Sequence, residues 1–221
     1  MKADFEANNT KINYHLSSII PKSGIILDVG ASRGEFATQI SGVLPTSRIF
    51  SFEPLPTAFE DLMKVAEKFP NITPINSAIS SQNGTTTFYE NQGDKGSSLL
   101  RPLEGQPSQW LTPKRQISVK TQRLEQFMRE REVTSVSLLK SDAQGADLEV
   151  VLSAGAFLNP KHIAAILIEI NFVPFYHQQN NYFDIFSSLD KQGYRLAWLY
   201  PTRDYQEWLW CADCLFIDKD A

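Results

Sequence analysis

Cysteine is nearly missing from this chain. Its 221 residues contain two, Cys211 and Cys214, so no disulfide framework is available and the fold must rest on a core of its own. Their C-x-x-C spacing raises redox chemistry or half a zinc site. However, the segment Trp210 to Asp218 reads as a strand, where residues three apart face opposite sides, and no second Cys or His pair lies nearby. Histidine is almost as rare, with three in the chain, so His162 and His177 stand isolated and read as structural or surface residues. Charge of one sign is not in excess. The balance of 21 basic against 25 acidic residues, net -4, offers no general attraction for nucleic acid or an anionic surface. No apolar run reaches the about 20 residues of a membrane span. The polar, acid-containing stretch from Met1 to Ser18 resembles neither a signal nor a transit peptide, so a cytoplasmic protein is expected. Long linkers are lacking too, and 42% hydrophobic content suffices for one substantial core, so a single domain over 1–221 is expected.

What is present is organised around Ile25-Ile26-Leu27-Asp28-Val29-Gly30-Ala31-Ser32-Arg33-Gly34. Branched apolar residues suggest a buried parallel strand, which ends in an acid and two glycines where an amphipathic segment, Glu35 to Val43, begins. Gly30 and Gly34 permit a sharp turn and close approach to a ligand, while Asp28 presents a carboxylate at the strand's carboxyl end. The same letters spell G-x-S-x-G, the nucleophile elbow of hydrolases with Ser32 as nucleophile, and histidines do follow in the chain. A serine hydrolase is therefore a second reading. A nucleotide-binding protein without turnover is a third.

The second strand, Arg48 to Phe52, again ends in an acid, Glu53, which lies 25 residues beyond Asp28. That is close to where nucleotide-binding α/β folds place the carboxylate that accepts ribose hydroxyls. Helix periodicity follows over Pro56 to Phe69, then a strand near Ile72 to Ala78 ending in a polar cluster around Asn76. Asn83-Gly84 signals a hairpin between the segments around Ile79 and Thr85 to Tyr89. The stretch 91–113, rich in Gly, Ser, Gln and Pro, is expected to be a lid or substrate loop. Val136 to Ser141 ends in Asp142, and Ala164 to Ile170 carries Glu169 near its end. Residues 1–20 form a leading helix or arm with Ile12, His15, Leu16 and Ile19 on one stripe. The chain closes with two aromatic-rich strands, Tyr194 to Tyr200 and Trp210 to Asp218, expected to pair antiparallel across a polar turn. Alternating strands and helices indicate an α/β fold, a mostly parallel sheet covered on both faces, and the lone glycine pair departs from the G-x-G-x-x-G of dinucleotide dehydrogenases.

Four stretches together resemble the FkbM family of S-adenosylmethionine-dependent methyltransferases: Leu27 to Gly34, Phe52-Glu53-Pro54, Leu138 to Asp147 and Ile166 to Glu169. The resemblance implies a Rossmann-like class I fold, a seven-stranded mostly parallel sheet with an antiparallel last strand and helices on both faces. It implies methyl transfer from S-adenosylmethionine to a hydroxyl of a sugar, glycan or polyketide-like small molecule; the charge balance, separately, gives the expectation of no nucleic-acid partner. By resemblance Gly30 and Gly34 hold the methionyl part with Asp28 and Ser32 beside it, Glu53 takes the ribose hydroxyls, and Asn76 and Ala78 flank adenine. Asp142 then faces the sulfonium and the acceptor, and it shares the role of candidate base with Glu169. No metal is expected. The family commonly shows Asp-Val-Glu-Gly-Ala-Glu where this chain has Asp142-Ala143-Gln144-Gly145-Ala146-Asp147, so no charged role passes to position 144. An ordinary task for Asp142 is equally legible: capping the helix that begins near Gly145. Acceptor choice is expected to lie in 91–113 and in aromatic residues such as Phe172, Phe175 and Tyr176.

Overall fold

Ile25–Val29 forms strand β1, the middle of three strands whose apolar residues are buried on both faces. The computed structural model describes residues 2–105, 111–205 and 208–221. In chain order the elements are α1 (Lys2–Ile19), β1, α2 (Glu35–Val43), β2 (Arg48–Phe52), α3 (Pro56–Ala66) and β3 (Ile72–Ile75). There follow β4 (Ala78–Ile79), β5 (Gly84–Asn91), β6 (Pro113–Gln122), α4 (Leu124–Glu130), β7 (Leu138–Ser141) and α5 (Asp147–Leu152). The chain ends with β8 (Ala165–Asn171), α6 (Tyr182–Lys191), β9 (Tyr194–Tyr205) and β10 (Trp208–Asp218).

Seven strands form one sheet in the order β3-β2-β1-β7-β8-β10-β9. The pairings β2–β3, β1–β2, β1–β7 and β7–β8 are parallel, and β10 runs antiparallel to both β8 and β9. The last strand therefore inserts between its two predecessors instead of extending the edge. Chain order reverses between β1 and β7, and at such a switch point the loops leave a crevice at the carboxyl ends of the strands.

Alternation along each strand divides the core. Leu27, Phe50, Leu139 and Ile166 pack on one face against α4, α5 and α6, through residues such as Phe127, Val150 and Leu189. Ile26, Ile49, Leu138 and Leu167 pack on the other face against α1 and α2, through Ile12, Leu16, Ala37 and Ile40. Each such side chain contributes roughly 1.5–3 kcal/mol by leaving water. The two-residue period then puts Asp28, two beyond Ile26, and Lys140, two beyond Leu138, on the α1–α2 side.

Three expectations are corrected. On α1, Ile20 is buried and Ile19 is exposed, so the apolar stripe is Ile12, Leu16 and Ile20. Asn83-Gly84 is not a hairpin: β4 pairs parallel with β6 and β5 pairs antiparallel with it, so β6 separates the two segments that flank the turn. There Asn83 Oδ1 accepts the Arg123 backbone N–H at 2.8 Å, and long-range pairing overrides a local signal. The expected third strand divides into β3 and β4 and feeds this three-stranded sheet, which packs through Phe88 and Val119 on Leu55 and Ala58.

Of the stretch 91–113, residues 106–110 lie outside the described residues, as do 206 and 207 of the turn between β9 and β10. The described part of 91–113 folds back over the sheet end, where Arg33 forms ion pairs with both Asp61 and Asp94 and Lys95 pairs with Glu35 at 2.9 Å. Cys211 and Cys214 are buried in β10 and form no disulfide. Among the described residues, no helix is long and apolar enough to cross a membrane.

Candidate active site

A cavity of about 590 Å³ opens at the carboxyl ends of β1, β2, β7 and β8, which is ample for a nucleoside-sized ligand. Its floor begins at the turn after β1. Gly30 has φ +72°, and a Cβ there would lie 1.9 Å from the backbone oxygen of Asp142, so only glycine lets the loops after β1 and β7 meet. Gly34, at φ +89°, faces away from the cavity; a Cβ would press 3.0 Å against Leu62, so its role is close packing of α2 on α3. The backbone N–H groups of this turn are largely engaged within the protein. Gly30 and Ala31 donate to Phe52 O at 3.1 and 3.0 Å, Gly34 donates to Ala31 O at 2.9 Å, and Ser32 donates to Glu53 Oε2 at 2.8 Å. The loop thus offers close approach more than an array of spare donors.

Glu53, at the end of β2, is buried and receives a second backbone N–H, from Leu55 to Oε1, at 2.8 Å. Burial pushes its pKa up to about 7, against the pull of those two N–H groups. Each carboxylate oxygen keeps an acceptor site toward the cavity, the capacity a vicinal diol requires. Ser77, Ala78 and Ile79 line the neighbouring wall. Asn76 does not reach it, because its amide donates to Glu53 O at 2.9 Å and its side chain is exposed beside the turn.

Asp28 is fully buried beneath the floor, accepting from Ser51 Oγ at 3.2 Å and lying 3.4 Å from Lys140 Nζ. It reaches the cavity only through that lysine. Lys140 Nζ donates to Gly30 O at 3.0 Å and stands 3.8 Å from Asp142 Oδ2. Burial opposes its charge, yet Asp28, Asp142 and Asp213 outweigh that cost and hold it above the ordinary lysine range.

Asp142 and Glu169 both line the cavity and are joined by one side chain. Gln144 Nε2 donates to Asp142 Oδ1 at 2.6 Å and to Glu169 Oε2 at 2.9 Å, while Gln144 Oε1 accepts from Tyr176 OH at 3.0 Å. Gln144 holds φ +52°, which aims its amide back across the turn. Asp142 does not cap α5, whose N-terminus takes no side-chain cap, and the turn before that helix is closed by another acid. Asp147 accepts from Ser141 Oγ at 2.6 Å, Ala143 N at 2.8 Å and Gly145 N at 3.1 Å; burial raises its pKa to about 6 despite these donors. Asp142 is thereby relieved of a role in closing the turn.

No histidine lines the cavity beside Ser32. His15 bonds Tyr200 OH at 2.6 Å and His162 bonds Thr134 O at 2.8 Å, so among the described residues the hydrolase triad does not assemble. Phe172, Phe175 and Tyr176 are also set back from the wall, and Phe175 and Tyr176 pack around Leu111. The stretch after β5 does contribute, through Asp94, Lys95, Ser97 and Leu99. Sequence reasoning left Lys140 and Gln144 without site roles, gave Tyr176 a place in acceptor choice instead of behind Gln144, and passed over Asp147 and Asp213. The strand-end pattern could have found Lys140, which sits two residues before Asp142 on a buried strand.

A switch-point cavity floored by a glycine turn, with a carboxylate after β2 and an inserted antiparallel last strand, defines the class I S-adenosylmethionine-dependent methyltransferase fold. Residues 28–196 match the model of the methyltransferase FkbM domain. The chain belongs to the FkbM methyltransferase family. It is 29% identical over 154 residues to 2-O-methyltransferase NoeI of Sinorhizobium fredii, a match over 65% of this chain and 63% of that protein. Among solved structures it is similar to methyltransferase FkbM from Methylobacillus flagellatus, with TM-score 0.58, 16% identity and coverage of 89% of this chain and 44% of that one. An rRNA methylase from Streptococcus thermophilus shares the fold, with TM-score 0.54, 10% identity and 94% of each chain covered. The chain thus spans less than two thirds of the length of NoeI and of the Methylobacillus protein.

Proposed function

We propose that this chain is an S-adenosylmethionine-dependent O-methyltransferase acting on a hydroxyl of a sugar, glycan or polyketide-like small molecule. The observation that carries the reading is the meeting, in one cavity, of Glu53 with the Asp142–Gln144–Glu169 cluster. The name of NoeI as a 2-O-methyltransferase supports an oxygen acceptor.

The cavity fits the cofactor on two counts. Gly30 lets the loops after β1 and β7 meet as the cavity floor, where any Cβ would strike Asp142 O, and Glu53 keeps acceptor capacity for two ribose hydroxyls. Glu53 would hold the ribose, Ala78 and Ile79 would flank the adenine, and the turn from Gly30 to Ser32 would lie along the methionyl part. Asn76 acts behind this wall by fixing the backbone at Glu53. When bound, S-adenosylmethionine supplies a methyl carbon made electrophilic by its sulfonium.

The protein's part is alignment and proton removal. Holding the acceptor oxygen in line can be worth roughly 7–11 kcal/mol. Asp142 Oδ1 is engaged by Gln144, so Oδ2 is the oxygen that takes the acceptor's proton, a contribution of about 10²–10⁴-fold. Glu169, on the same amide, orients the acceptor through a second hydroxyl. Calorimetry with S-adenosylmethionine and S-adenosylhomocysteine, followed by an acceptor screen for S-adenosylhomocysteine release, tests the reading. Binding with turnover supports it. Binding without turnover on any hydroxyl acceptor would favour a non-catalytic nucleotide-binding protein, and no binding would remove the reading.

A further inference from the structure

We propose that Asp213 is an acceptor-binding residue, and that it and Glu169 hold a vicinal diol of an uncharged polyhydroxylated ring. The inference rests on the methyl-transfer reading and extends it to the chemistry of the acceptor. Asp213 lies on β10 directly opposite Glu169 on β8 in an antiparallel pair. Residues so placed point to the same face with Cβ atoms about 4.5–5.5 Å apart, the span over which two carboxylates can each take one of two neighbouring hydroxyls. Both side chains line the cavity, together with Asp142 and Thr202.

Asp213 has no structural task that would account for it. Asp213 is half-buried, and no hydrogen bond from the described residues reaches its carboxylate; loss of hydration and the charges of Asp142 and Asp147 push its pKa up to about 7, against the pull of Lys140. Tyr200, its neighbour on β9, bonds His15 instead. A carboxylate that lines a cavity and takes no hydrogen bond from the described residues keeps its accepting capacity open to a ligand donor.

Charge selects the ligand class. Among the described residues, Asp142, Glu169 and Asp213 line the cavity with Lys140, which Asp28 also engages, while Lys95 lines it in an ion pair with Glu35. A carboxylated or phosphorylated sugar would be repelled there, while hydroxyls donate to carboxylates without a charge conflict. Asp213, Thr202 and Asn9 also lie outside residues 28–196, so this wall is furnished by segments beyond the family match. It is where acceptor choice can differ from that of other members.

Saturation-transfer NMR on the full chain loaded with S-adenosylhomocysteine tests the assignment. The probes are neutral methyl hexopyranosides, hexuronic acids and hexose phosphates. At least one neutral pyranoside is expected to bind, with Kd raised tenfold or more in Asp213→Asn and further in Asp213→Leu, while S-adenosylhomocysteine affinity stays within twofold. Melting temperatures of both variants verify the fold, and the near-isosteric Asn variant carries the conclusion if the Leu variant unfolds. Equal sugar binding in wild type and Asp213→Asn, preference for the acidic sugars, or no binding of any neutral pyranoside would overturn it. Loss of S-adenosylhomocysteine binding by the wild type is read by calorimetry before any sugar is added, and would instead overturn the methyltransferase reading beneath it.

Discussion

Asp142 and Glu169, on neighbouring strand ends, are tied together by the single amide of Gln144, at 2.6 and 2.9 Å. Two carboxylates that converge on one cavity would otherwise repel, and a shared donor fixes both; in the proposed function Asp142 Oδ2, 3.8 Å from Lys140 Nζ, is the oxygen that meets the acceptor. Tyr176 OH, 3.0 Å from Gln144 Oε1, orients the amide in turn.

Gln144→Ala should therefore lower kcat without loosening the cofactor. Hydrogen bonds to charged groups are worth about 1.5–3 kcal/mol, so a fall of roughly 10- to 150-fold is expected. Steady-state kinetics beside S-adenosylhomocysteine calorimetry check this, and an unchanged kcat would show that the tie does not orient the base.

Asp147→Ala should strike stability instead. It strips Ser141 Oγ, Ala143 N and Gly145 N of their acceptor in a buried turn, at a cost of about 1–3 kcal/mol or more. A melting temperature equal to wild type would mean that the turn closes without Asp147.

For Glu53→Ala the expected effect is on affinity. Loss of charge-assisted contacts to two hydroxyls should weaken S-adenosylmethionine binding by roughly 1.5–3 kcal/mol, and the backbone N–H groups of Ser32 and Leu55 lose their acceptor as well. Calorimetry giving the wild-type Kd would remove Glu53 from the cofactor site.

The unliganded protein should lose stability as pH rises toward 7. Glu53 and Asp213 have folded pKa values pushed up to about 7 and Asp147 to about 6, against ordinary values near 4, so the folded chain holds protons there that the unfolded chain has released. Their stabilising effect is complete below about pH 4 and gone above about pH 7. Thermal melts between pH 5 and 8 should show the fall, and Asp213→Asn should flatten it; identical slopes in the two proteins would deny the shift at Asp213.

Much of this was legible along the chain because its signals are local. Buried strands ending in Asp28, Glu53, Asp142 and Glu169 declare themselves by an apolar run and an acid, and α2 falls where the amphipathic pattern from Glu35 to Val43 puts it. What was hidden depends on contacts between distant segments. Asp213 reads as one more residue of an aromatic strand until β10 inserts beside β8 and sets it against Glu169. Asp142 was legible as a cap for the helix near Gly145, and only the folded turn, in which Ser141 Oγ, Ala143 N and Gly145 N all donate to Asp147, gives that neighbourhood to a different acid. Asn76 looked exposed to the cofactor because a polar residue at a strand end usually is, but its amide turns back to Glu53 O.

Asp142→Asn is the most direct test. Asn keeps the size of Asp and cannot take a proton, and Asp147 maintains the turn, so fold and cofactor binding should survive. With an acceptor found by screening, single-turnover transfer from methyl-labelled S-adenosylmethionine should fall by about 10²–10⁴-fold, with melting temperature and S-adenosylhomocysteine affinity unchanged. Transfer at the wild-type rate in Asp142→Asn would contradict the assignment of the base.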